Sequence, residues 1–302
     1  MSYARILALT ALTMVAFAGN SLLCRAALKA THIDAASFTT IRLISGAVML
    51  WLLTRIRRGT RNGSWWSAFA LFIYAASFSY AYVSLPVASG ALLLFGAVQA
   101  TMIGYGIWIG ERLRRLQLVG LILAFAGLIG LLLPGVTAPP LFGSLLMLGA
   151  GVAWGIYSLR GRGAGNPIAV TAGNFLRTVP IAFALSALTY KGVAMDADGF
   201  GYAVASGALA SGLGYSIWYT ALPALKATSA ATVQLSVPVI TALGGILLLG
   251  EHITLRLVLA SIAILGGIAL VILEKWHASS AQQFGAEQQE NTDCGTALLM
   301  FC

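Results

Sequence analysis

The sequence predicts an all-α integral membrane protein with ten transmembrane helices arranged as two inverted five-helix repeats. Of its 302 residues, 59% are hydrophobic and only 9% are charged, whereas about 25% of the residues of a soluble domain are charged. Apolar runs long enough to cross a bilayer recur along the chain, and the mean hydropathy is +0.88. Short stretches of the first half also recur, in the same order, in the second half.

Each predicted span is an apolar run of about 20 residues, the length that crosses a bilayer as a helix. The first run continues without a charge as far as Cys24, which favours a span over a cleaved secretory signal. Gly110 before Glu111, and Gly250 before Glu251, suit the end of one helix and the start of the next. The predicted spans are 6–24, 35–54, 65–84, 88–109, 114–133, 141–159, 168–190, 199–220, 228–249 and 255–273.

The lysines and arginines lie mostly in the loops on one side of this arrangement, which predicts that both termini are cytoplasmic. They are separated by apolar runs and form no single patch, so the net charge of +9 does not indicate nucleic-acid binding. The predicted outer side carries Arg25, Lys29, Lys191 and Arg256. The predicted inner side carries Arg5, Arg55, Arg57, Arg58, Arg61, Arg112, Arg114, Arg115, Arg160, Arg162, Lys226 and Lys275.

The two halves match at offsets of about 137 residues. The sequence YVSLP at 82–86 corresponds to YTALP at 219–223, and VAF at 15–17 corresponds to VAW at 152–154. Because each half has an odd number of spans, the second half enters the membrane from the opposite side. We therefore expect a first repeat over 1–136, an inverted second repeat over 137–276 and a polar, disordered tail over 277–302.

Two arginines lie in the interior of predicted spans, Arg42 in the second span and Arg177 in the corresponding span of the other half. A guanidinium in hydrocarbon is costly, so it faces the bundle interior or reaches the interface. The sequence leaves three roles open: locking helices together through carbonyl groups, binding a solute carboxylate or holding a gate, and snorkelling to the interface.

Other charged and reactive groups are missing from the predicted spans. The nine acidic residues and the three histidines all lie at span ends or beyond. Intramembrane enzymes and proton-driven pumps need such groups at membrane depth, so we expect neither an enzyme nor a cofactor or metal site. Transport by facilitated diffusion is the resulting hypothesis.

Aromatic and amide side chains are the remaining candidates for binding a solute. Tyr74, Phe78 and Tyr82 recur every four residues and share one helix face. Packing and interhelical hydrogen bonds are the structural alternative for each residue. The predicted solute-binding residues are Asn20, Tyr74, Phe78, Tyr82, Phe95, Gln99, Trp154, Tyr157, Tyr215, Trp218 and Gln234. The predicted structural or gating residues are Arg42, Arg177, Pro86, Pro223 and Pro238.

Each half of the chain has five predicted spans, with an arginine in the second span and Gly-Glu after the fourth span. In these features the chain resembles the EamA-type drug/metabolite transporter superfamily. Within it, SFSYAYVSLPVASGALLLFGAVQATMIGYGIWIGERL at 77–113 looks like the YddG-type aromatic amino-acid exporters. Ser211 departs from this pattern because it stands where Tyr74 would align.

This resemblance implies a multi-pass exporter in the bacterial inner membrane that works by alternating access. It implies aromatic or hydrophobic amino acids as solutes. Nucleosides, purines and flat organic cations such as methyl viologen are the alternatives. The expected partners are such a small-molecule solute and the lipid bilayer, with no nucleic acid and no obligate protein partner.

Overall fold

The computed structural model describes residues 2–56, 63–110, 114–135, 137–161, 166–221, 224–225 and 233–272. Within these ranges the secondary structure is helical, with no strand. We number the long helical elements α1 to α10. They are Tyr3–Ala30, Ala35–Ile56, Trp65–Ser84, Val87–Trp108, Arg115–Leu132, Leu141–Arg160, Pro167–Leu188, the continuous run 197–221, Ser236–Leu249 and Leu255–Ile272. A short 3₁₀ helix, Tyr190–Gly192, follows α7.

Eight of the helices in the described residues are long and apolar enough to cross a membrane, namely α1 to α7 and α10. The helix α9 is apolar but has 14 residues, which gives it a length of about 21 Å. Nine of the predicted spans overlap a helix over most of their length, although α1 extends to Ala30, six residues beyond its predicted end. The predicted span 228–249 matches α9 from Ser236 onwards, and its residues 228–232 lie outside the described residues.

The element α8 is not a regular α-helix along its whole length. Its middle part, Ala205–Leu213, is π-helical and lies between the α-helical segments Ala197–Val204 and Gly214–Ala221. π-Helical segments are rare overall, but those that occur are often found at functional sites. Gly207 brings this segment against α2, where a Cβ atom would meet the Arg42 carbonyl oxygen and the Ser45 hydroxyl.

The turns begin and end with residues suited to those positions. Asn166 and Asp196 accept backbone N–H groups at the starts of α7 and α8, at 3.1 and 3.0 Å. Gly110 and Gly250 have φ angles of 95° and 61°, values that glycine adopts without steric cost. The sequence-based prediction that these two glycines end helices is confirmed.

The bundle core is formed by α1–α4 and α6–α9, which contact one another extensively. The main contacts are α3 and α4 with α6, α2 with α7 and α8, and α1 with α8 and α9. The helices α5 and α10 pack together at the periphery through Gly120 and Gly267. We call the end of the bundle that carries the loops 31–34 and 250–254 the Asp34 end, and the opposite end the Ser64 end.

Candidate functional site

Aromatic rings from three helices contact one another near the middle of the bundle. Trp154 of α6 lies at the centre, with its ring centroid 4.8 Å from that of Tyr74, 5.4 Å from Tyr157 and 5.3 Å from Tyr215. The last two contacts are stacked, with interplanar angles of 30° and 24°. Phe78 extends the cluster along α3, 5.5 Å from Tyr74. The rings come from helices that are distant in sequence, so tertiary packing assembles this cluster.

Arg42 is buried beside these rings. Its side chain is 2% exposed, and its guanidinium carbon lies 4.8 Å from the Phe78 ring centroid and 5.3 Å from that of Tyr74. Nη2 donates to the Tyr74 hydroxyl at 3.1 Å, whereas Nη1 has no hydrogen-bond partner among the described residues. Cation–π contacts favour the charge, but about 2.5–3.5 kcal/mol opposes an arginine at the centre of a transmembrane helix. The free Nη1 is therefore an unsatisfied charged donor.

A chain of buried hydrogen bonds links Arg42 to α1 and α8. Ser206, in the π-helical segment, donates to Asn20 Oδ1 at 2.7 Å. The amide nitrogen of Asn20 donates to the Tyr74 hydroxyl at 3.3 Å, which also accepts from Arg42. The chain therefore joins α8, α1, α3 and α2 at one point, which positions Tyr74 and the guanidinium relative to each other.

A second polar contact positions the opposite side of the ring cluster. Asn174 of α7 donates to the Tyr157 hydroxyl at 3.4 Å and accepts from the Ser64 backbone N–H at 2.9 Å. Both Asn174 and Tyr157 are buried. This amide therefore fixes α6 against α7 and the start of α3.

An ion pair closes the Asp34 end of the bundle. Arg25 Nε lies 3.0 Å from Glu251 Oε1, and the two side chains are only 12% and 11% exposed. Arg25 Nη1 also donates to the carbonyls of Tyr82 and Val83, at 2.8 and 3.1 Å. Glu251 Oε2 accepts from the Val87 N–H at 2.7 Å. We call this set of contacts the Arg25–Glu251 clasp; it joins α1, the α3–α4 turn and the α9–α10 loop.

Two cavities lie outside the ring cluster. A cavity of about 240 Å³ opens beside the clasp and is lined by Pro86, Glu251, His252 and residues 137–140, among others. A cleft of about 20 Å³ lies between α4, α5 and α10 and contains Gln99. The first cavity places polar groups at the Asp34 end, and the second is almost wholly apolar.

The structure brings most of the predicted solute-binding residues together. The residues in or next to the ring cluster are Asn20, Tyr74, Phe78, Tyr82, Trp154, Tyr157, Tyr215 and Trp218. Gln99 lies apart in the cleft beside α5 and α10. Phe95 is buried elsewhere along α4, and Gln234 is half-buried just before α9.

The predicted structural residues are distributed over the bundle. Arg177 donates to the Gly173 carbonyl of its own helix at 2.9 Å, so it does not share the surroundings of Arg42. Pro86 precedes α4, and Pro238 is buried in the first turn of α9. Pro223 and the tail 277–302 lie outside the described residues.

The sequence did not predict Phe17, Phe175, Ser206 or the Arg25–Glu251 clasp as parts of the site. Phe17 lies 5.7 Å from Tyr215 and 6.1 Å from Trp218 between ring centroids, and Phe175 lies 6.1 Å from Tyr215. Phe17 aligns with Trp154 in the repeat, and Trp154 is a predicted solute-binding residue, so the repeat pattern also indicates Phe17. Ser206 and the clasp gave no such signal, because serine and loop charges are common near the ends of spans.

The comparisons with known proteins identify relatives over most of the chain. The model of the EamA-like transporter family matches residues 141–273. An uncharacterized protein of Pseudomonas aeruginosa is 59% identical over 272 residues, which cover 89% of this chain and 94% of that protein. An uncharacterized transporter of Archaeoglobus fulgidus is 28% identical over 68% of this chain and 77% of its own length. A solved crystal structure shares the fold, with a TM-score of 0.64 and 21% identity over 88% of this chain and 98% of that chain.

Proposed function

We propose that the chain is a transporter of the EamA-like family, whose model matches residues 141–273, and that it transports aromatic and hydrophobic amino acids across the bacterial inner membrane. The observation that carries this proposal is the ring cluster around the buried Arg42. Tyr74, Trp154 and Tyr215 provide flat apolar surfaces that stack on an aromatic solute. Asn20 and Arg42 provide polar groups next to these surfaces.

The position of the cluster along the helices supports a transport role. Tyr74 lies ten residues into α3 and Trp154 lies fourteen residues into α6, so both are about 14–20 Å from the start of their helices. Solute sites of transporters built from inverted repeats lie near the bilayer midplane. A solute bound here would lie within the span, away from both ends of the bundle.

The contacts between helices support the inverted-repeat arrangement. If α1–α5 correspond to α6–α10, the packing of α3 on α6 corresponds to that of α8 on α1, and both are extensive. In the same way, the packing of α4 on α6 corresponds to that of α9 on α1, and α2 packs on its own counterpart α7. We therefore propose ten spans with two-fold pseudo-symmetry, in which α9 and the interrupted α8 also cross the membrane.

Alternating access follows from this symmetry. The Arg25–Glu251 clasp closes the Asp34 end, which the distribution of lysine and arginine predicts to be periplasmic. Rocking of one half against the other would open this end and expose the ring cluster to the periplasm. No acidic residue or histidine is predicted at membrane depth, so we propose facilitated diffusion down the solute gradient, with net export when the cytoplasmic concentration is higher.

Among the alternative solutes, the structure favours amino acids over flat organic cations. The positive charge of Arg42 at the ring cluster repels a permanent cation such as methyl viologen. Nucleosides are neutral and flat, so they remain the second candidate class.

Counterflow into reconstituted vesicles tests the proposal. Vesicles preloaded with unlabelled phenylalanine or tryptophan should accumulate the labelled amino acid, and Trp154→Ala should reduce the initial rate severalfold. Trp108→Ala is the matched control, because Trp108 lies at the end of α4 and is 82% exposed. Accumulation of nucleosides alone would show that nucleosides, and not amino acids, are the solutes. Absence of flux for all these solutes would refute the proposed transport function.

A further inference from the structure

We propose that Arg42 and Tyr74 form a recognition site for a carboxylate group, so that the solute must carry one carboxylate next to a flat apolar body. This inference rests on the proposed transport function for its physiological meaning, but it concerns binding and is tested by binding. It assigns a solute-binding role to Arg42, the role that the sequence left open beside helix locking and snorkelling.

The first argument is the balance of hydrogen-bond donors and acceptors. The Tyr74 hydroxyl accepts from Asn20 and from Arg42 Nη2. A phenol that accepts two hydrogen bonds still has one hydrogen to donate. Arg42 Nη1 also has no acceptor among the described residues. Because Nη1 and Nη2 belong to one planar group, both unused donors lie within reach of one incoming anionic group.

The second argument is the missing counter-ion. The acidic residues in the described part of the chain are Asp34, Asp196, Asp198 and Glu251, and all lie at helix ends. Glu251 is already paired with Arg25. The five other carboxyl side chains of the sequence lie outside the described residues, and the sequence predicts all of them beyond the ends of the spans. A buried arginine needs an anion or several acceptors, and the solute is the source that the observations favour.

The third argument compares Arg42 with two other helical arginines, Arg25 and Arg177. Arg25 directs Nη1 at two backbone carbonyls, and Arg177 directs Nη1 at the Gly173 carbonyl. Each of these two arginines therefore has at least one carbonyl acceptor within the protein. Arg42 is the most deeply buried of the three and contacts aromatic faces instead of carbonyls. Its Nη1 therefore lacks the carbonyl acceptor that Nη1 of the other two arginines has.

Ligand-induced thermal stabilisation of the purified protein tests this inference with three indole compounds. Tryptophan carries a carboxylate and an ammonium group, indole-3-propionate carries only the carboxylate, and tryptamine carries only the ammonium group. We expect tryptophan and indole-3-propionate to raise the melting temperature and tryptamine to have no effect at equal concentration. The same three compounds then serve as competitors in tryptophan counterflow.

Two variants identify the residues responsible. Arg42→Gln should weaken binding of both carboxylates by about tenfold or more, because a charge-assisted hydrogen bond is lost. Tyr74→Phe keeps the ring and the fold and should weaken the same two compounds by about threefold to tenfold. Arg177→Gln, which removes the arginine of the corresponding helix, should leave the preference for carboxylates unchanged.

The outcomes separate this inference from the proposed function. Stabilisation by tryptophan but not by tryptamine, with loss in Arg42→Gln and Tyr74→Phe, supports the carboxylate site even if counterflow fails. Equal stabilisation by tryptophan and tryptamine, or an unchanged preference in Tyr74→Phe, overturns the carboxylate site even if counterflow succeeds. Absence of stabilisation by any of the three compounds also overturns it.

Discussion

At the scale of single residues, Asp34 shows how one carboxylate organises a loop between two halves of the bundle. Its Oδ1 accepts from the N–H groups of Ala36 and Ser37, both at 2.9 Å, and thereby caps α2. Its Oδ2 accepts from the Ala194 N–H at 3.0 Å, across the loop that precedes α8. Burial by itself would raise the pKa of Asp34, but hydrogen bonds from Ser37, Ala194 and Ala36 lower it below the ordinary value of 3.8.

This lowered pKa predicts a stability difference that depends on pH. Because the folded-state pKa lies below the unfolded one, the carboxylate stabilises the protein above the unfolded pKa, and this stabilisation is lost as pH falls through the folded pKa. Asp34→Asn should lower the melting temperature by a few degrees, equally at pH 5 and pH 7. The difference should shrink as the pH falls below 3.8.

Asp198→Asn is the matched control, because Asp198 is an exposed carboxyl in the first turn of α8. Thermal unfolding of the wild type and both variants across this pH range is the measurement. A melting-temperature difference for Asp34→Asn that stays constant below pH 3 would contradict the assigned role.

At the scale of helices, glycine determines how closely α5 and α10 approach. A Cβ atom at Gly267 would lie against the Gly120 carbonyl oxygen and 2.8 Å from the Ala124 nitrogen. Gly266, the adjacent residue of α10, has open space at the same position. Small residues at such contacts allow transmembrane helices to pack backbone against backbone.

We therefore expect Gly267→Ala to separate the two helices and to lower the melting temperature, at a cost of about 1–3 kcal/mol from overpacking. Gly266→Ala should leave the melting temperature unchanged or raise it slightly, since alanine has the higher helix propensity. Thermal unfolding of the two variants in the same detergent is a direct comparison. Equal effects would show that the close contact does not determine the packing of α5 on α10.

The helices themselves were largely predictable from the sequence, whereas their irregularities were not. Apolar runs locate spans because no water satisfies the backbone within hydrocarbon. The glycine φ values at Gly110 and Gly250 also follow from local sequence. No local pattern predicts the π-helical segment in α8, which packs closely on α2 at Gly207. Such tertiary contacts leave no period in the local sequence.

At the scale of the whole molecule, the site could also be predicted only in part, because tertiary contacts decide which residues meet. The spacing of Tyr74, Phe78 and Tyr82 placed them on one face, and the structure has them in one cluster. As an amide within a span, Gln99 is predicted to share this site, but it lies in a separate cleft beside α5 and α10. Which face of a helix meets the bundle interior depends on its neighbours, and an isolated amide carries no information about that.

The Arg25–Glu251 clasp is the contact through which two side chains hold several elements of the bundle together. Arg25 and Glu251 connect α1 with the α3–α4 turn and with the loop between α9 and α10. If the bundle alternates between two states, opening of the Asp34 end must break this connection. Charge-assisted hydrogen bonds are about twice as strong as neutral ones, so the clasp favours the closed state of this end.

Glu251→Gln should therefore shift the bundle towards the open state. Glutamine retains an acceptor for the Val87 N–H but removes the charge opposite Arg25. Cys24, which precedes Arg25, is fully buried and serves as the reporter when Cys294 and Cys302 are replaced by serine. A loss of ~1.4 kcal/mol would raise the open population, and with it the labelling rate of Cys24, about tenfold. The measurement is labelling by a membrane-impermeant maleimide added outside intact cells.

His252→Gln is the control, because His252 is exposed and adjacent to Glu251. It should leave Cys24 as protected as in the wild type, which shows that a change in the loop alone does not expose the thiol. Reagent added to inside-out vesicles should not reach Cys24 faster in Glu251→Gln, because the clasp lies at the Asp34 end, which we predict to be periplasmic. Equal labelling rates in Glu251→Gln and the wild type from outside would show that the clasp does not hold this end closed. Faster labelling only from inside would reverse the predicted orientation of the bundle.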